Sequence, residues 1–280
     1  MIEAVSLPAG ILAQYALSNP QFVVKTPLAH VWKVKSSGGD WVALKVYHKP
    51  DMANERTGFA IMAALNGHGA AKVLATGSNF AITEWLDGPS LGDLARNGQD
   101  KDATRALGQL AAKLHQKPLH ITDELPTLPQ WLHALDRLGF APACPAEAQH
   151  NLQTCQKMAQ YLLATETDIR PLHGDLHHDN IRLGPRGYAA FDAKGLLGER
   201  CFELANAFRN PKGAETLVRD PARIQGLVAE WSQSFDVPPA RLLQWATVKC
   251  ALSIAWRSGG VVSNDPEFDL LATLLAQTRL

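Results

Sequence analysis

Residues 171–198 read PLHGDLHHDNIRLGPRGYAAFDAKGLLG, and this stretch decides the fold. It contains three aspartates, one asparagine and three histidines between turn-forming glycines and prolines. Bringing so much charge together costs free energy unless a partner offsets the repulsion. Three interpretations follow: a histidine metal site, a solvated loop, or carboxylates that bind a cation and a phosphate group.

The composition limits the kind of protein that can carry this stretch. The chain has 280 residues, of which 46% are hydrophobic and 19% charged, so it can bury a large core as one domain or two packed lobes. Lys+Arg and Asp+Glu both number 27, which gives a formal net charge of +0. Because no overall field attracts polyanions, we predict neither nucleic acid nor a membrane as a partner.

Cysteine usage and the N-terminus predict a cytoplasmic protein, in a compartment that supplies ATP and Mg²⁺. The beginning, MIEAVSLPAGILAQYAL, has Glu3 and no Lys or Arg before its apolar part, so it is a poor signal peptide. No apolar run reaches the roughly 18 residues that span a bilayer. The cysteines form no CxxC pair and are expected to be buried reduced thiols: Cys144, Cys155, Cys201 and Cys250.

The first third of the chain predicts a β-rich lobe. HVWKVKS (30–36) and DWVALKVYH (40–48) flank a turn and predict a hairpin. Residues 51–69 change to a helical period, and two short strands follow near 72–77 and 79–85.

From about Leu86–Pro89 onward the pattern becomes helical, interrupted mainly by 171–198 with strand candidates NIRLG and GYAAFD. We therefore predict an α+β fold with two lobes. The first covers residues 1–86 and binds nucleotide, and the second covers residues 87–280 and is mainly helical.

The spacing of oxygen-bearing side chains in the opening stretch suits phosphoryl transfer. Asp175 and Asn180 lie five residues apart on one loop, and Asp192 follows after a predicted hairpin that turns at GPRG. That hairpin can fold Asp192 back beside Asn180, so that a carboxylate and an amide oxygen face one ion while Asp175 projects toward a substrate. Mg²⁺ prefers oxygen ligands, and phosphoryl transfer needs such an ion together with a group that orients the attacking hydroxyl.

HGDLHHDN followed by FDAKG resembles the catalytic and metal-binding motifs of the aminoglycoside phosphotransferase family, which has the protein-kinase-like fold. The fuller string is most similar to the branch of streptomycin 6-kinases and hydroxyurea phosphotransferases. The resemblance implies Asp175 as the catalytic base and Asn180 with Asp192 as the Mg²⁺ ligands. It implies ATP and Mg²⁺ as cofactors.

The resemblance extends in order from about residue 20 to residue 260. WVALKVY is similar to the strand whose lysine pairs with phosphate, here Lys45, and Glu55 to the glutamate that fixes this lysine. ITEWLDGPSL resembles the hinge that meets adenine, through backbone groups around Glu84 to Leu86. Lys194 follows Asp192, where it either reaches phosphate or neutralises the acidic cluster.

The chain also departs from the family pattern. KTPLAHVWKV carries no glycine where protein kinases have a glycine-rich loop, so the sequence predicts no backbone cradle for phosphate. Ala193 replaces the usual proline. Glu199 and Glu203 stand where aspartates are usual.

The resemblance implies an ATP-dependent O-phosphotransferase that acts on a small hydroxyl compound, such as streptomycin or a hydroxyurea-like molecule. A housekeeping kinase for choline, homoserine or a sugar and an inactive nucleotide-binding relative remain as alternatives. Carboxylates that could meet a guanidino sugar are Glu199, Glu203, Asp136 and Asp123. Trp256 and Trp131 either pack in the core or line the acceptor pocket.

The histidines of the opening stretch have a second interpretation as zinc ligands. His173, His177 and His178 lack the HExxH pattern and any cysteine partner, so we expect His173 to anchor the loop and His177 to have a structural role. Asp179 is expected to satisfy backbone N–H groups of the turn.

Overall fold

The computed structural model describes residues 8–278, and its first lobe is built on a five-stranded antiparallel sheet. A short helix α1 (Ala9–Gln14) precedes it. The strands are β1 (Ser18–Lys25), β2 (Ala29–Lys35), β3 (Trp41–Tyr47), β4 (Val73–Thr76) and β5 (Phe80–Glu84), in the order β1-β2-β3-β5-β4. The predicted β2–β3 hairpin is confirmed, with Trp41 opposite Lys35 across the turn.

One helix, α2 (Arg56–Leu65), packs against this sheet after a 3₁₀ turn at Ala53–Glu55. Its apolar face is buried, and it ends where Asn66 takes a left-handed conformation with φ 44°. Asn is among the few residues that tolerate this conformation, which stops the helix before Gly67. At its other end the helix faces the second lobe, where Glu55 forms an ion pair with Lys194.

The second lobe is mainly helical and is formed by the chain from Leu91 onward. Its helices are α3 (Leu91–Arg96), α4 (Asp100–Leu114), α5 (Leu128–Asp136), α6 (Ala146–Ala164), α7 (Glu215–Val218), α8 (Pro221–Ser234), α9 (Pro239–Arg257) and α10 (Phe268–Gln277). Its short strands are β6 (Gly139–Phe140), β7 (Ile169–Leu172), β8 (Ile181–Gly184), β9 (Gly187–Ala190), β10 (Leu196–Glu199) and β11 (Val261–Val262). This is the α+β arrangement that the sequence predicted.

The core of the second lobe forms around α9, which is buried along most of its 19 residues. Trp245 of this helix is fully buried, as are Trp231 of α8 and Phe208. All four cysteines are buried free thiols. No helix in the described range 8–278 is long and apolar enough to cross a membrane.

The segment after Cys201 departs from the helix that the sequence predicted. Residues Arg200–Arg209 form 3₁₀ turns, and eight consecutive side chains from Cys201 to Phe208 are buried. Because the segment is enclosed on every side, its path is set by tertiary packing against α9 and not by the burial of a single amphipathic face.

The β8–β9 hairpin joins the two lobes and positions the site. The amide of Ala71 donates to the carbonyl of Ala190, at 2.8 Å, and Leu183 donates to Pro89, at 3.0 Å. At its tip Arg186 binds the carboxylate of Glu84 through two nitrogens, at 2.7 and 2.8 Å. The hairpin is thus held to the segment that connects the lobes.

Candidate active site

The loop after β7 is held in place by its own backbone and by one buried glutamate. His173 is buried; its Nε2 donates to the carbonyl of Phe191, at 3.1 Å, and its Nδ1 accepts from the amide of Asp175, at 3.3 Å. The amides of His173 and Gly174 donate to Glu203, at 2.9 and 3.2 Å. The anchoring role expected for His173 is present.

Asp175 projects from this loop between two amide side chains. Its Oδ1 accepts from Nδ2 of Asn206, at 2.8 Å, and its Oδ2 accepts from Nδ2 of Asn180, at 3.3 Å. Arg209 in turn donates to Oδ1 of Asn206, at 2.8 Å, which fixes the orientation of that amide. The carboxylate is therefore held in one orientation while its residue remains only partly buried.

The hairpin brings Asp192 back to the same loop, as its turn residues predicted. The amide of Phe191, the residue before Asp192, donates to the carbonyl of Asn180, at 2.9 Å. This bond joins the two segments that carry the proposed metal ligands, Asn180 and Asp192. Asp192 has φ 61°, a left-handed conformation that turns its side chain out of the strand direction. Nδ2 of Asn180 donates to the carbonyl and the carboxylate of Asp175, so the amide oxygen of Asn180 points away from Asp175.

Two lysines and two carboxylates form an ion-pair cluster between the lobes. Nζ of Lys45 lies 2.5 Å from Glu55 and 2.6 Å from Asp192, while Nζ of Lys194 lies 2.7 Å from Glu55 and 3.4 Å from Asp192. The predicted Lys45–Glu55 pair is present. Tyr47 donates a further hydrogen bond to Glu55. Glu55 thus orients both lysines, one from each lobe.

The protonation states follow from burial and pairing. Burial alone would raise the pKa of Asp192, but the charges of Lys45 and Lys194 outweigh it and lower the pKa to about 2. Burial would lower the pKa of Lys194, yet Asp192 and Glu55 raise it above the ordinary value. Asp192 and Lys194 are therefore charged at neutral pH.

Backbone contact between α2 and the Asp192 loop brings the cluster together. A Cβ at Gly58 would lie 1.8 Å from the carbonyl oxygen of Ala193, and one at Gly195 would lie 2.3 Å from the backbone of Thr57. Gly195 also has φ 73°. Only glycine allows the two backbones to approach so closely.

A cavity of about 290 Å³ opens between the lobes beside this cluster. Lys45 and Asp192 lie at one end, residues 83–86 form one side, and the remaining walls are mostly apolar. The amide of Glu84 already donates to Lys72, at 2.9 Å, and its carboxylate is bound by Arg186. Hydrogen bonds from this segment to a ligand must therefore come from its other backbone groups.

A second cavity, of about 630 Å³, lies on the other side of the cluster. Asp175, Gly174 and Lys194 border it on one side, and Trp131 and Trp256 form a wall with ring centroids 5.4 Å apart. Asp192 lines the first cavity and Lys194 the second, so the cluster separates them. The arrangement offers space for two molecules with Asp175 at one of them.

Two predicted acceptor carboxylates are wrongly placed for that role. Glu199 is 1% exposed and accepts from Arg241 and Trp245, while Glu203 is 2% exposed and accepts from His115, at 2.8 Å. Neither borders the second cavity, because each is used to fasten buried segments. Asp123 and Asp136 line other depressions of the surface. Of the predicted acceptor-site residues, the two tryptophans, Trp256 and Trp131, do line the cavity beside Asp175.

The remaining polar residues of the opening stretch have structural partners. Asp179 pairs with Arg96, at 2.8 Å, and accepts from the amide of Lys212, at 3.1 Å. Nδ1 of His177 accepts from the amide of Asp179, and His178 packs against Trp231. Within residues 8–278, no three or more His, Cys, Asp or Glu side chains are arranged to hold a metal ion.

Two side chains of the site were not predicted from the sequence. Asn206 contacts Asp175 from a segment 31 residues away, and Lys249 enters the second cavity from α9. Neither belongs to a motif of chemistry-bearing residues. A signal for Lys249 existed, because it is the one charged residue in the run VKCALSIAW of residues 248–256.

Glu203→Gln is expected to lower the free energy of unfolding by about 3 kcal/mol, because it removes a buried carboxylate that accepts hydrogen bonds from His115 and from the amides of His173 and Gly174. Burial would raise the pKa of Glu203, but the hydrogen bond from His115 outweighs it and lowers the pKa below 4.5. The stabilisation is therefore present above pH 4.5 and is lost as the pH falls through the folded-state pKa. Urea unfolding of both proteins at several pH values measures this difference. The exposed Glu124→Gln is the control. Equal free energies of unfolding for wild type and Glu203→Gln at pH 7 would contradict the structural role assigned to Glu203.

Comparisons with known proteins show which proteins the chain resembles. Residues 14–260 match the sequence model of a family described as aminoglycoside/hydroxyurea antibiotic resistance kinase. A streptomycin 3''-kinase of Klebsiella pneumoniae is 36% identical over 234 residues, which cover 81% of this chain and 84% of that protein.

Solved structures share the fold at lower sequence identity. The amicoumacin kinase hAmiN, in complex with AMP-PNP and Ca²⁺, is similar with a TM-score of 0.66 and 15% identity, covering 97% of this chain and 92% of that one. The aminoglycoside phosphotransferase APH(3'')-Id of Streptomyces rimosus is similar with a TM-score of 0.60 and 19% identity, covering 87% and 96%. The predicted protein-kinase-like fold is confirmed.

Proposed function

Because the chain belongs to the aminoglycoside/hydroxyurea antibiotic resistance kinases, we propose that it transfers the γ-phosphoryl group of ATP to a hydroxyl group of a small molecule. The acceptor that we propose first is streptomycin, on the strength of the 36% identical streptomycin kinase, followed by a hydroxyurea-like compound. The single observation that carries the proposal is the ion-pair cluster, which joins Lys45 to Asp192 at 2.6 Å between two cavities.

We assign ATP to the cavity between the lobes. Its apolar walls suit a purine ring, and Lys45 at its inner end would pair with the α- and β-phosphates while Glu55 holds the lysine in position. The turn between β1 and β2 is expected to contribute less to phosphate binding than Lys45. Its Leu28 and Ala29 amides already donate to the hydroxyl of Thr26, at 3.3 and 3.0 Å. Side-chain cations therefore carry most of the phosphate recognition.

Asn180 and Asp192 suit Mg²⁺ because they supply one amide oxygen and one carboxylate, both hard ligands. Two protein ligands are typical where substrate phosphates and water complete the coordination. When bound, the ion neutralises charge on the β- and γ-phosphate oxygens. Asp192 is held ionised by the two lysines, so it is ready to bind a cation at neutral pH.

Asp175 would orient the attacking hydroxyl from the second cavity. The acceptor oxygen forms a bond to the γ-phosphorus while the bond to the bridging β–γ oxygen breaks, so that ADP leaves. The hydroxyl proton passes to the Asp175 carboxylate as the new bond forms. Asn206 and Asn180 hold this carboxylate in line, and Lys194 stands between the two cavities, close to the path of the transferred group.

The alternative of an inactive relative is disfavoured because the Lys45, Glu55, Asp175, Asn180 and Asp192 set is complete and most of it is held by ion pairs or hydrogen bonds. A housekeeping kinase for another small hydroxyl compound would use the same residues. Thermal unfolding with Mg–ATP tests nucleotide binding. ADP release with streptomycin, hydroxyurea, choline and homoserine then tests the acceptor, and release with choline or homoserine alone would replace the proposed acceptor.

Lys45→Met is expected to raise the KM for ATP by about tenfold or more and to reduce kcat, because it removes the cation that pairs with the phosphates. The measurement is steady-state ADP release at varied ATP concentrations. The exposed Lys49→Met is the matched control and should behave as wild type. An unchanged KM for ATP in Lys45→Met would contradict the role assigned to this lysine.

A further inference from the structure

Lys249 is a buried lysine with few partners at the wall of the second cavity. It lies in α9, is 3% exposed, and donates one hydrogen bond, to Oγ of Ser253 at 3.2 Å. Its Nζ also lies 4.8 Å from the ring centroid of Trp256. An ammonium group has three N–H donors, and within the described part of the chain no carboxylate forms an ion pair with this one. The residue therefore carries unused hydrogen-bonding capacity beside Asp175.

The charges around Lys249 leave its ammonium poorly compensated. Burial, together with the charge of Arg209, lowers the pKa of Lys249 to about 7, against opposing effects of Asp175, Glu267 and Cys250. A buried lysine without an ion partner costs stability, so a side chain of this kind is more often replaced by an apolar one unless it has a role.

The cavity itself is poor in negative charge. Asp175 is the one carboxylate among its described lining residues, whereas Lys194, Arg137 and Lys249 supply cations and His133 a titratable ring. The aromatic wall does not compensate for this, because Lys249 already lies over the ring of Trp256. A cationic group of the acceptor would meet little attraction on this side of the cavity.

We propose that Lys249 is a specificity-determining residue that donates a hydrogen bond to an oxygen atom of the acceptor next to the attacking hydroxyl. The acceptor then presents a neutral, oxygen-rich side to α9, with a neighbouring hydroxyl or a carbonyl at Lys249. Ammonium and guanidinium groups of the same molecule point away from this wall. This inference rests on the proposed function, since it assumes that the acceptor occupies the cavity beside Asp175.

Lys249→Met tests the inference with a side chain of similar length and no charge. We expect the KM for the acceptor to rise about tenfold, while the KM for ATP and kcat stay within about twofold, because the lost contact binds the acceptor before and during transfer. Lys249→Gln, which keeps an N–H donor without the charge, should recover part of the loss. The probes are streptomycin and hydroxyurea, assayed by ADP release.

A change in KM for Lys249→Met is not expected to arise from loss of stability. Replacing a buried, unpaired ammonium with an apolar side chain of similar volume is neutral or stabilising, so the variant should unfold at or above the wild-type temperature. The exposed Lys157→Met serves as a matched control for loss of a lysine.

The pH dependence gives a second readout that a merely structural role would not change. Because the pKa of Lys249 is about 7, the wild-type KM for the acceptor should rise as the pH increases through 7 and the ammonium loses its proton. The variant Lys249→Met should lack this step.

An acceptor KM in Lys249→Met within twofold of wild type, with the same pH profile, would overturn the inference and leave the proposed function standing. A wild-type protein that releases ADP with neither probe, although Mg–ATP raises its unfolding temperature, would overturn the proposed acceptor class and this inference together. A changed KM for ATP alone would overturn the inference by placing Lys249 at the nucleotide.

Discussion

Asp175→Asn is expected to reduce kcat by about 10²–10⁴-fold while Mg–ATP still raises the unfolding temperature to the wild-type extent. The substitution keeps the shape of the side chain but removes the carboxylate that accepts the hydroxyl proton. It also places an amide opposite the N–H donors of Asn206 and Asn180, so the side chain loses its fixed orientation. Single-turnover measurement of ADP formation at saturating ATP and acceptor isolates this step.

The control for this variant is Asp136→Asn, which changes an exposed aspartate outside the cavity beside Asp175. It should retain full turnover. If Asp175→Asn turned over at the wild-type rate, another group would have to orient the hydroxyl. The assignment of the second cavity to the acceptor would then lose its chemical basis.

Asp192→Asn is expected to lower kcat/KM for ATP by about a thousandfold and to abolish most of the stabilisation by Mg–ATP. Two effects combine. The Mg²⁺ site loses its carboxylate, and Lys45 and Lys194 lose the anion that they share at 2.6 and 3.4 Å. The lysines then remain tied to Glu55 alone, so that their positions beside the nucleotide cavity are less well fixed.

Titration of Mg²⁺ at fixed ATP distinguishes the two effects. A lost metal ligand shifts the Mg²⁺ concentration that gives half-maximal rate, whereas a disturbed lysine pair changes the KM for ATP at saturating Mg²⁺. Asp40→Asn, at an exposed turn between β2 and β3, is the control. A wild-type response to Mg²⁺ in Asp192→Asn would rule out this residue as a ligand.

The sequence predicted those parts of the site that depend on short stretches of chain. Asp175 and Asn180 share one loop, and the turn at residues 184–187 returns β9 so that Phe191 bonds to Asn180. The run DWVALKVYH predicted the strand that carries Lys45, and the family resemblance implied its pair with Glu55, which lies on a turn ten residues later. Local connectivity restricts such groups to a few relative positions.

Contacts between distant segments could not be predicted in the same way. The predicted hinge includes Glu84, but no local pattern indicates that its carboxylate is bound by Arg186 from a hairpin 102 residues later. Asn206 reaches Asp175 from a segment whose 3₁₀ path is set by packing. Nothing in the local pattern of either segment indicates its partner.

The sequence by itself determined the order of the elements and the loop that carries the acidic oxygens, since turn residues and hydrophobic periods act over a few residues. Tertiary structure alone decided which charged side chains face the cavities. Glu199 is bound by Arg241, 42 residues away, and Glu203 by His115, 88 residues away, whereas Lys249 lies in the wall of the cavity beside Asp175. The physical reason is that burying a charge requires a partner, and partners are supplied by whichever distant segments the folded chain brings together.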